Sequence, residues 1–367
     1  MLEITWRRLL AGGASLLALS ALNLIPGFSG LAAAQEKKEK VKAAFVYVGP
    51  VGDYGYSFAH DQGRKFLAEK LGDKVETSFV ENVAEGPDAE RVIRQLAQDG
   101  NDIIFTTSFG FMQPTAKVAK QFPNVKFEHA TGFTTGANMG IYNSRFYEGR
   151  AVLGTIAGMM SKSGKGGYVA SFPIPEVVMG INAFTLAARK VNPKFETQVV
   201  WVNSWYDPAK EADAAKALMD QGADVITQHT DSPGPLQAAE QRGAIAFGQA
   251  WDMQSFAPNA HMTAIVDHWG PHYVTSVQAV LDGTWKPGDV WGGMKEDFVE
   301  MSPFNPKMPD DVKAAAQKIV DGTKDGSYKV FTGPINDQSG AEKIPAGTVI
   351  PDGDRLTMDW SEEGVKS

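Results

Sequence analysis

The residues of this chain that could do chemistry gather where apolar runs end. Asp53, Tyr54, Tyr56 and Ser57 follow the run from Ala43 to Val48, and Ser108, Phe109 and Phe111 follow Asp102 to Thr107. Phe172 and Pro173 follow Gly167 to Ser171, and the run from Thr197 ends on Asn203, with Trp205 and Tyr206 just beyond it. Thr230 and Asp231, then Trp251 and Asp252, follow two further runs, and Trp269 follows His261 to Val266. A short apolar run closed by a turn signal reads as a buried parallel strand, and open α/β sheets bind ligands at the carboxyl ends of such strands. Rings beside isolated carboxylates suit a flat, nitrogen-rich, uncharged ligand. The rings stack on its faces, and the carboxylates accept hydrogen bonds from its N–H and NH2 groups. The candidate ligand-binding set is Asp53, Tyr54, Tyr56, Ser108, Phe109, Phe172, Trp205, Asp231, Asp252 and Trp269. Plainer roles are open to several of them: Tyr54 and Tyr56 could cover the first βα turn, and Asp231 and Asp252 could cap a helix or turn.

Other chemistries lack their patterns. The first loop has neither GxGxxG nor GxxxxGK[ST], so no phosphate cradle is expected. There is no cysteine, which removes thiolate catalysis and cysteine-held metals. His268 and His272 share i,i+4 spacing, but Gly270 and Pro271 break the helix that would present both, and no HExxH glutamate is present. Ser57, Ser108 and Ser232 lie in no GxSxG elbow. No catalytic residue, cofactor or metal is expected.

The elements that must position these residues alternate. Strands are predicted over 43–48, 75–80, 102–107 and 126–130, with helices near Phe58, over Pro87 to Gln98 and over Pro114 to Gln121. Asp88 and Glu90 in the first turn, and Gly100 beyond the end, mark the helix at 87–98. A second βα series runs from Glu148 to Gly248, and a helix at 273–281 returns the chain to the first series. The fold class expected is α/β, as two Rossmann-like lobes joined by a hinge. The lobes are expected over 41–140 with about 264–284, and over 141–263 with about 285–367.

Residues 1–34 read as a cleaved secretory leader: Arg7 and Arg8, an apolar stretch from Leu9 to Leu24, then Ala32-Ala33-Ala34. Trp6 beside the arginine pair favours general secretion over twin-arginine export. No cysteine is available for lipid attachment, so a free periplasmic protein is expected, not inserted in the membrane. The net charge of −8 argues against nucleic acid, which needs a basic stripe.

Over nearly the whole chain after the leader, the sequence resembles the basic membrane protein (BMP) family, the purine-nucleoside-type substrate-binding proteins of ABC importers. The runs that carry the resemblance include GDYGYSFAHDQG, ENVAEGPDAERVIRQLAQDG, FEHATGF, YEGRAVLGTIAGMMSKSGKGGYVASFPIPEV, VNSWYDPAKEADAAKALMDQGADVITQHTDS and DHWGPHYVTSVQAVLDGTW, in that order. It implies a type I periplasmic binding protein fold, a purine-type ligand between aromatic rings, a permease and ATPase as partners, and a monomer. Two departures stand out. Nucleoside-binding members are similar to a Gly-Val-Asp-x-Asp-Gln run, where this chain has Gly248-Gln249-Ala250-Trp251-Asp252-Met253. They also place a lysine after the return strand, where this chain has Asp267-His268-Trp269. In the family, that aspartate and lysine are expected to hold ribose hydroxyls, so a free base such as adenine or hypoxanthine is favoured over a nucleoside. In this reading Tyr56 with Trp205 or Phe172 stacks on the base, Asp231 or Asp252 accepts from it, and Trp269 fills the ribose space. The rival readings are a nucleoside carrier, a periplasmic sensor subunit and, with no patterned base or nucleophile, a purine-metabolising hydrolase.

Overall fold

The first strand, β1 (Val41–Val46), is buried at every position except Lys42, as its unbroken apolar character requires. The computed structural model describes residues 37–52 and 54–367, so the leader expected over 1–34 and the candidate Asp53 lie outside the described residues. After β1 come α1 (Tyr56–Leu71), β2 (Val75–Val80), α2 (Pro87–Gln98), β3 (Ile103–Thr106), α3 (Met112–Ala119), β4 (Lys126–Ala130) and β5 (Met139–Ser144). In α2, Pro87 opens the helix, Asp88 and Glu90 face its positive end, and Ala89, Val92, Ile93, Leu96 and Ala97 are buried.

A second series follows: α4 (Phe146–Met160), β6 (Lys165–Ala170), α5 (Pro175–Val191), β7 (Glu196–Trp201), α6 (Pro208–Asp220), β8 (Val225–His229), α7 (Gly234–Arg242), β9 (Ile245–Gly248) and β10 (His261–Asp267). The chain continues through α8 (Gly270–Leu281), β11 (Asp289–Gly292), β12 (Val299–Met301), α9 (Asp310–Asp325), the ribbon of β13 (Ile335–Asn336) with β14 (Glu342–Ile344), and β15 (Val365–Lys366).

Two sheets result. The first has the order β11-β5-β4-β3-β1-β2, with every neighbouring pair parallel. The second has the order β12-β10-β9-β8-β6-β7-β15, parallel except for the antiparallel edge strand β12. The expected α/β class holds. The small residues of α4 have a packing reason: a β-carbon at Gly154 would lie 2.1 Å from the Phe184 carbonyl oxygen of α5, and one at Gly158 2.5 Å from that of Ala188. The helix backbones approach too closely for any side chain there.

The chain passes between the sheets at three places: Arg145, between β5 and α4; His268-Trp269, between β10 and α8; and the stretch from β11 to β12. Backbone hydrogen bonds join these crossings, from Arg145 N–H to the Gly292 carbonyl (2.7 Å) and from His268 N–H to the Phe298 carbonyl (3.0 Å). Trp269 is fully buried among them. It stacks on His60 (centroids 4.4 Å, planes 10° apart) and meets Phe146 and Phe298 edge-on at 6.3 Å each. The largest enclosed side chain of the described core is therefore a hinge residue.

Candidate ligand-binding site

The loop from β1 to α1 and the loop from β8 to α7 face each other, and their sequences explain how closely. Gly55 precedes the first residue of α1, and a β-carbon there would stand 2.2 Å from the carbonyl oxygen of Asp231. The absence of a side chain allows the first-sheet half to lie flush on the second. The Tyr56 N–H, at the amino end of α1, faces the Asp231 carboxyl, where the positive end of a helix favours an acidic partner.

The Asp231 loop is held from behind. Asp207 caps α6 by accepting from Lys210 N–H (3.1 Å). Glu211 accepts from Asp207 N–H (2.8 Å) with one oxygen and from Ser232 N–H (3.0 Å) and Oγ (2.6 Å) with the other. The Gln228 amide donates to the carbonyls of Thr230 (2.9 Å) and Ser232 (2.7 Å). Asp231 N–H in turn donates to the Trp205 carbonyl (3.0 Å), which ties the two loops together.

Between the halves lies a narrow, partly open pocket. Val48, Tyr56, Ser108, Phe109 and Thr131 line it from the first-sheet half, and Glu176, Trp205, His229, Asp231 and Gln249 from the second. Of the residues expected at a site, the structure brings together Tyr56, Ser108, Phe109, Trp205 and Asp231 on this wall. It places the other described candidates elsewhere. Phe172 packs behind Trp205, with centroids 5.1 Å apart. Tyr54 stacks on Phe58 (4.6 Å) and meets Phe256 edge-on (5.3 Å), so it joins the two halves beside the cavity. Asp252 accepts from Gln254 N–H (2.9 Å) and caps a short turn. Trp269 sits behind Tyr56 in the hinge, with Ala250 buried in the same apolar cluster.

The wall is completed by Val48, Thr131, Glu176, His229 and Gln249, which the strand-end reading did not select. Glu176 lies in the first turn of α5, and His229 ends β8. The His229 Nε2 is 3.6 Å from the Glu176 carboxylate, whose other oxygen accepts from Asn143 (3.3 Å). Burial holds His229 below the usual histidine range, so it is a neutral imidazole near pH 7. The facing carboxylate favours the proton on Nε2 and leaves Nδ1 as an acceptor with no protein partner.

Two carboxyls near the cavity are pushed up. Burial raises Asp231 well above the ordinary value, and Glu211 adds to the effect. Burial also raises Asp267, followed by Glu176, against the opposing charge of the buried Arg150. Arg150 donates to Thr227 Oγ1 (3.2 Å) and to the side-chain oxygen of Gln249, which leaves the Gln249 NH2 as a donor beside the cavity. Burial keeps the Tyr56 hydroxyl protonated. Its oxygen, His229 Nδ1 and Asp231 Oδ2 are all buried without a partner, as are both oxygens of Asp267 behind them. Buried polar atoms are rarely left unpaired, so this grouping is a candidate place for a ligand to complete the hydrogen bonds.

The backbone is strained at the same rim. Tyr54, Thr131, Asn203 and Ala250, none of them glycine, hold φ between +53° and +63°; the last three lie just beyond strands, and Tyr54 just before α1. Such residues persist where the surroundings over-determine them, and they concentrate at binding sites. Among the described residues no group of three His, Cys, Asp or Glu side chains could hold a metal ion, and no helix is long and apolar enough to cross a membrane.

Two α/β halves with a partly unsatisfied pocket between them are the layout of a solute-binding protein. Residues 40–327 match the family described as Bmp, ABC transporter substrate-binding protein PnrA-like, and the chain belongs to that family of extracytoplasmic, non-enzymatic binding proteins. It is 57% identical over 341 residues to a purine-binding protein of Brucella abortus (strain 2308), covering 93% of this chain and 97% of that one. It is 42% identical to a protein of Haloferax volcanii proposed to be the glucose-binding component of an ABC transporter, over 75% of this chain and 70% of that one. In fold it is similar to an ABC transporter solute-binding protein of Aeropyrum pernix K1, with a TM-score of 0.68 at 19% identity, covering 81% and 93% of the two chains. A solute-binding protein from Conexibacter woesei gives a TM-score of 0.64 at 22% identity, covering 79% and 98%.

Proposed function

We propose that this protein binds a purine-type ligand, as a free base such as adenine or hypoxanthine, in the cavity between its halves and delivers it to a membrane permease driven by an ATPase. The two sheets are the cores of two lobes that close about the three crossings. The carrying observation is the set of unpartnered buried atoms on the cavity side: the Tyr56 hydroxyl, His229 Nδ1 and Asp231 Oδ2. A purine base offers N–H and NH2 donors and ring-nitrogen acceptors around one plane, which answers such a set, while Phe109 and Trp205 supply ring faces from opposite halves. The high identity to a purine-binding relative supports the ligand class.

A free base rather than a nucleoside is supported by position 250. Ala250 lies in an apolar cluster with Trp269, so no carboxylate is present there to hold ribose hydroxyls. In this reading the leader directs export and the mature protein works in the periplasm. Calorimetric titration with adenine, hypoxanthine, adenosine and glucose tests the proposal. Binding of a base more tightly than adenosine or glucose is expected. Tighter binding of adenosine would assign the site to nucleosides, and binding of glucose alone would overturn the purine reading.

A further inference from the structure

Glu85 takes no part in the cavity wall, yet it touches both halves of the molecule. One of its carboxylate oxygens, Oε1, accepts three hydrogen bonds: from Ser108 Oγ (2.6 Å), from Gly110 N–H (3.0 Å) and from the indole Nε1–H of Trp205 (3.0 Å). The first two donors belong to the first-sheet half, in the turn after β3. The third follows β7 of the second-sheet half and lines the cavity.

The sequence around Glu85 is built for this contact. Gly110 has no positive φ to explain its glycine, but a β-carbon there would lie 2.2 Å from the Glu85 Cδ and 2.4 Å from Oε2. The carboxylate can lie on the backbone only because residue 110 has no side chain. Ser108 and Gly110 therefore hold the acceptor in place from within its own half, before the other half arrives. The Trp205 indole is fixed on its other side by Phe172 (5.1 Å) and by its carbonyl, which accepts from Asp231 N–H (3.0 Å).

We infer that Glu85 is a preset latch, which accepts the Trp205 indole N–H across the cavity mouth and so both holds the halves together and fixes the plane of the aromatic wall against the ligand. The inference rests on the proposed purine-binding reading for its ligand, but not for its geometry. Little side-chain freedom remains to be lost when the bond forms, because two donors already order the acceptor. A hydrogen bond to a charged group is also among the stronger kinds. Since the bond exists only when the halves meet, its loss should speed ligand release and leave capture nearly unchanged. Glu85 is thus a positioning residue, acting on the ligand through Trp205.

The test is a double-mutant cycle read by calorimetry and stopped-flow fluorescence with adenine as the probe. Glu85→Ala should weaken binding about tenfold, mostly in the dissociation rate. Gly110→Ala should do the same, because it displaces the carboxylate without removing a hydrogen-bonding group. Glu85→Gln, which keeps an acceptor oxygen, should stay within about threefold of the unmodified protein. Trp205→Phe loses both ring area and the N–H in the unmodified background, but only ring area beside Glu85→Ala. Its effect should therefore shrink about tenfold in the second background. Independent, multiplying effects of the two substitutions would overturn the latch. If the unmodified protein binds no purine, the functional reading fails, and the latch is then judged by X-ray scattering of the ligand-free proteins. There Glu85→Ala must enlarge the radius of gyration, and an identical radius in both proteins would overturn it. Thermal melts followed by circular dichroism confirm that each variant is folded.

Discussion

The ring of Tyr56 meets that of Trp269 edge to face, with centroids 6.1 Å apart and planes at 84°. Tyr56 stands on the cavity wall, and Trp269 packs on Phe146 and Phe298 from the other two crossings. The floor of the site thus rests directly on the hinge. The two positions should separate stability from binding. Trp269→Ala removes a fully buried indole from the junction and should lower unfolding stability by about 3–5 kcal/mol. Tyr56→Phe keeps the ring and its packing, and should weaken ligand binding with little loss of stability. Denaturant unfolding and calorimetry on the two variants check this. A Trp269→Ala protein as stable as the parent would contradict the hinge role.

Two aspartates that read alike in the sequence should behave differently. Asp231 lines the cavity with an unpartnered oxygen, whereas Asp252 caps Gln254 and stands away from the wall. Asp231→Ala should weaken binding of the ligand about tenfold or more, the loss of a hydrogen bond to a charged or donor-bearing partner. Asp252→Ala should leave the dissociation constant within about twofold and lower stability by about 0.5–1.5 kcal/mol. Equal effects of the two substitutions on affinity would remove Asp231 from the site.

The raised carboxyls make the ligand-free protein sensitive to pH. An unfolded aspartate titrates near 4, whereas burial keeps Asp267 protonated to higher pH in the fold. Between those two values the folded protein binds more protons than the unfolded one. This contribution to stability is therefore present at low pH and lost as pH rises through the folded value. Asp267→Asn does not titrate, so its melting temperature should gain on the parent's as the pH is raised from 5 to 8. Parallel melting curves over that range would show that Asp267 is ionised in the fold already.

The fold was largely legible because its strands are buried on both faces. Val41–Val46 and Ile103–Thr106 read as continuous apolar runs, and the glycine and proline punctuation between them marks the helices. Met139–Ser144 was hidden: it mixes Gly140, Tyr142, Asn143 and Ser144 with apolar residues, and its place between β4 and β11 depends on pairing rather than composition. Half of the wall followed from the rule that ligands sit at strand carboxyl ends, which found Tyr56, Ser108, Phe109, Trp205 and Asp231. The other half depends on direction. His229 is the last residue of its own strand, so only the pleat decides which face it takes, and Glu176 comes from a helix whose approach the sequence does not specify. Trp269 obeys the same strand-end rule, yet the chain turns there into the hinge rather than the cavity.

The pairing of His229 with Glu176 bears on which base is preferred. With Nε2 facing the carboxylate, the cavity presents an acceptor at His229 Nδ1, which asks the ligand for a donor. Adenine supplies an amino group where hypoxanthine carries a carbonyl, so adenine should bind the more tightly. Glu176→Gln weakens the hold on that tautomer and should narrow the preference, lowering adenine affinity about tenfold and hypoxanthine affinity less. Competition titrations of both bases against both proteins measure the ratio. A preference for hypoxanthine in the parent would mean that the imidazole presents N–H to the ligand instead.

Gly55 offers the cleanest test of closure as such. Its φ of −149° is ordinary extended backbone, so alanine is unstrained there, and any effect must come from space. The space is missing only because the Asp231 carbonyl of the other half lies 2.2 Å from where the β-carbon would stand, and a backbone carbonyl cannot swing aside as a side chain would. Gly55→Ala should therefore leave each half folded, with a melting temperature near the parent's, while wedging the halves apart. Tyr56 N–H then loses the Asp231 carboxyl, and the cavity wall cannot assemble. Adenine binding should fall at least a hundredfold, about the effect of losing two hydrogen bonds together with the facing wall. Solution scattering should show no compaction on adding adenine, in contrast to the parent. If Gly55→Ala binds and compacts normally, the contact between the β1–α1 loop and the Asp231 loop is not needed for closure, and the site must assemble from the remaining contacts between the halves.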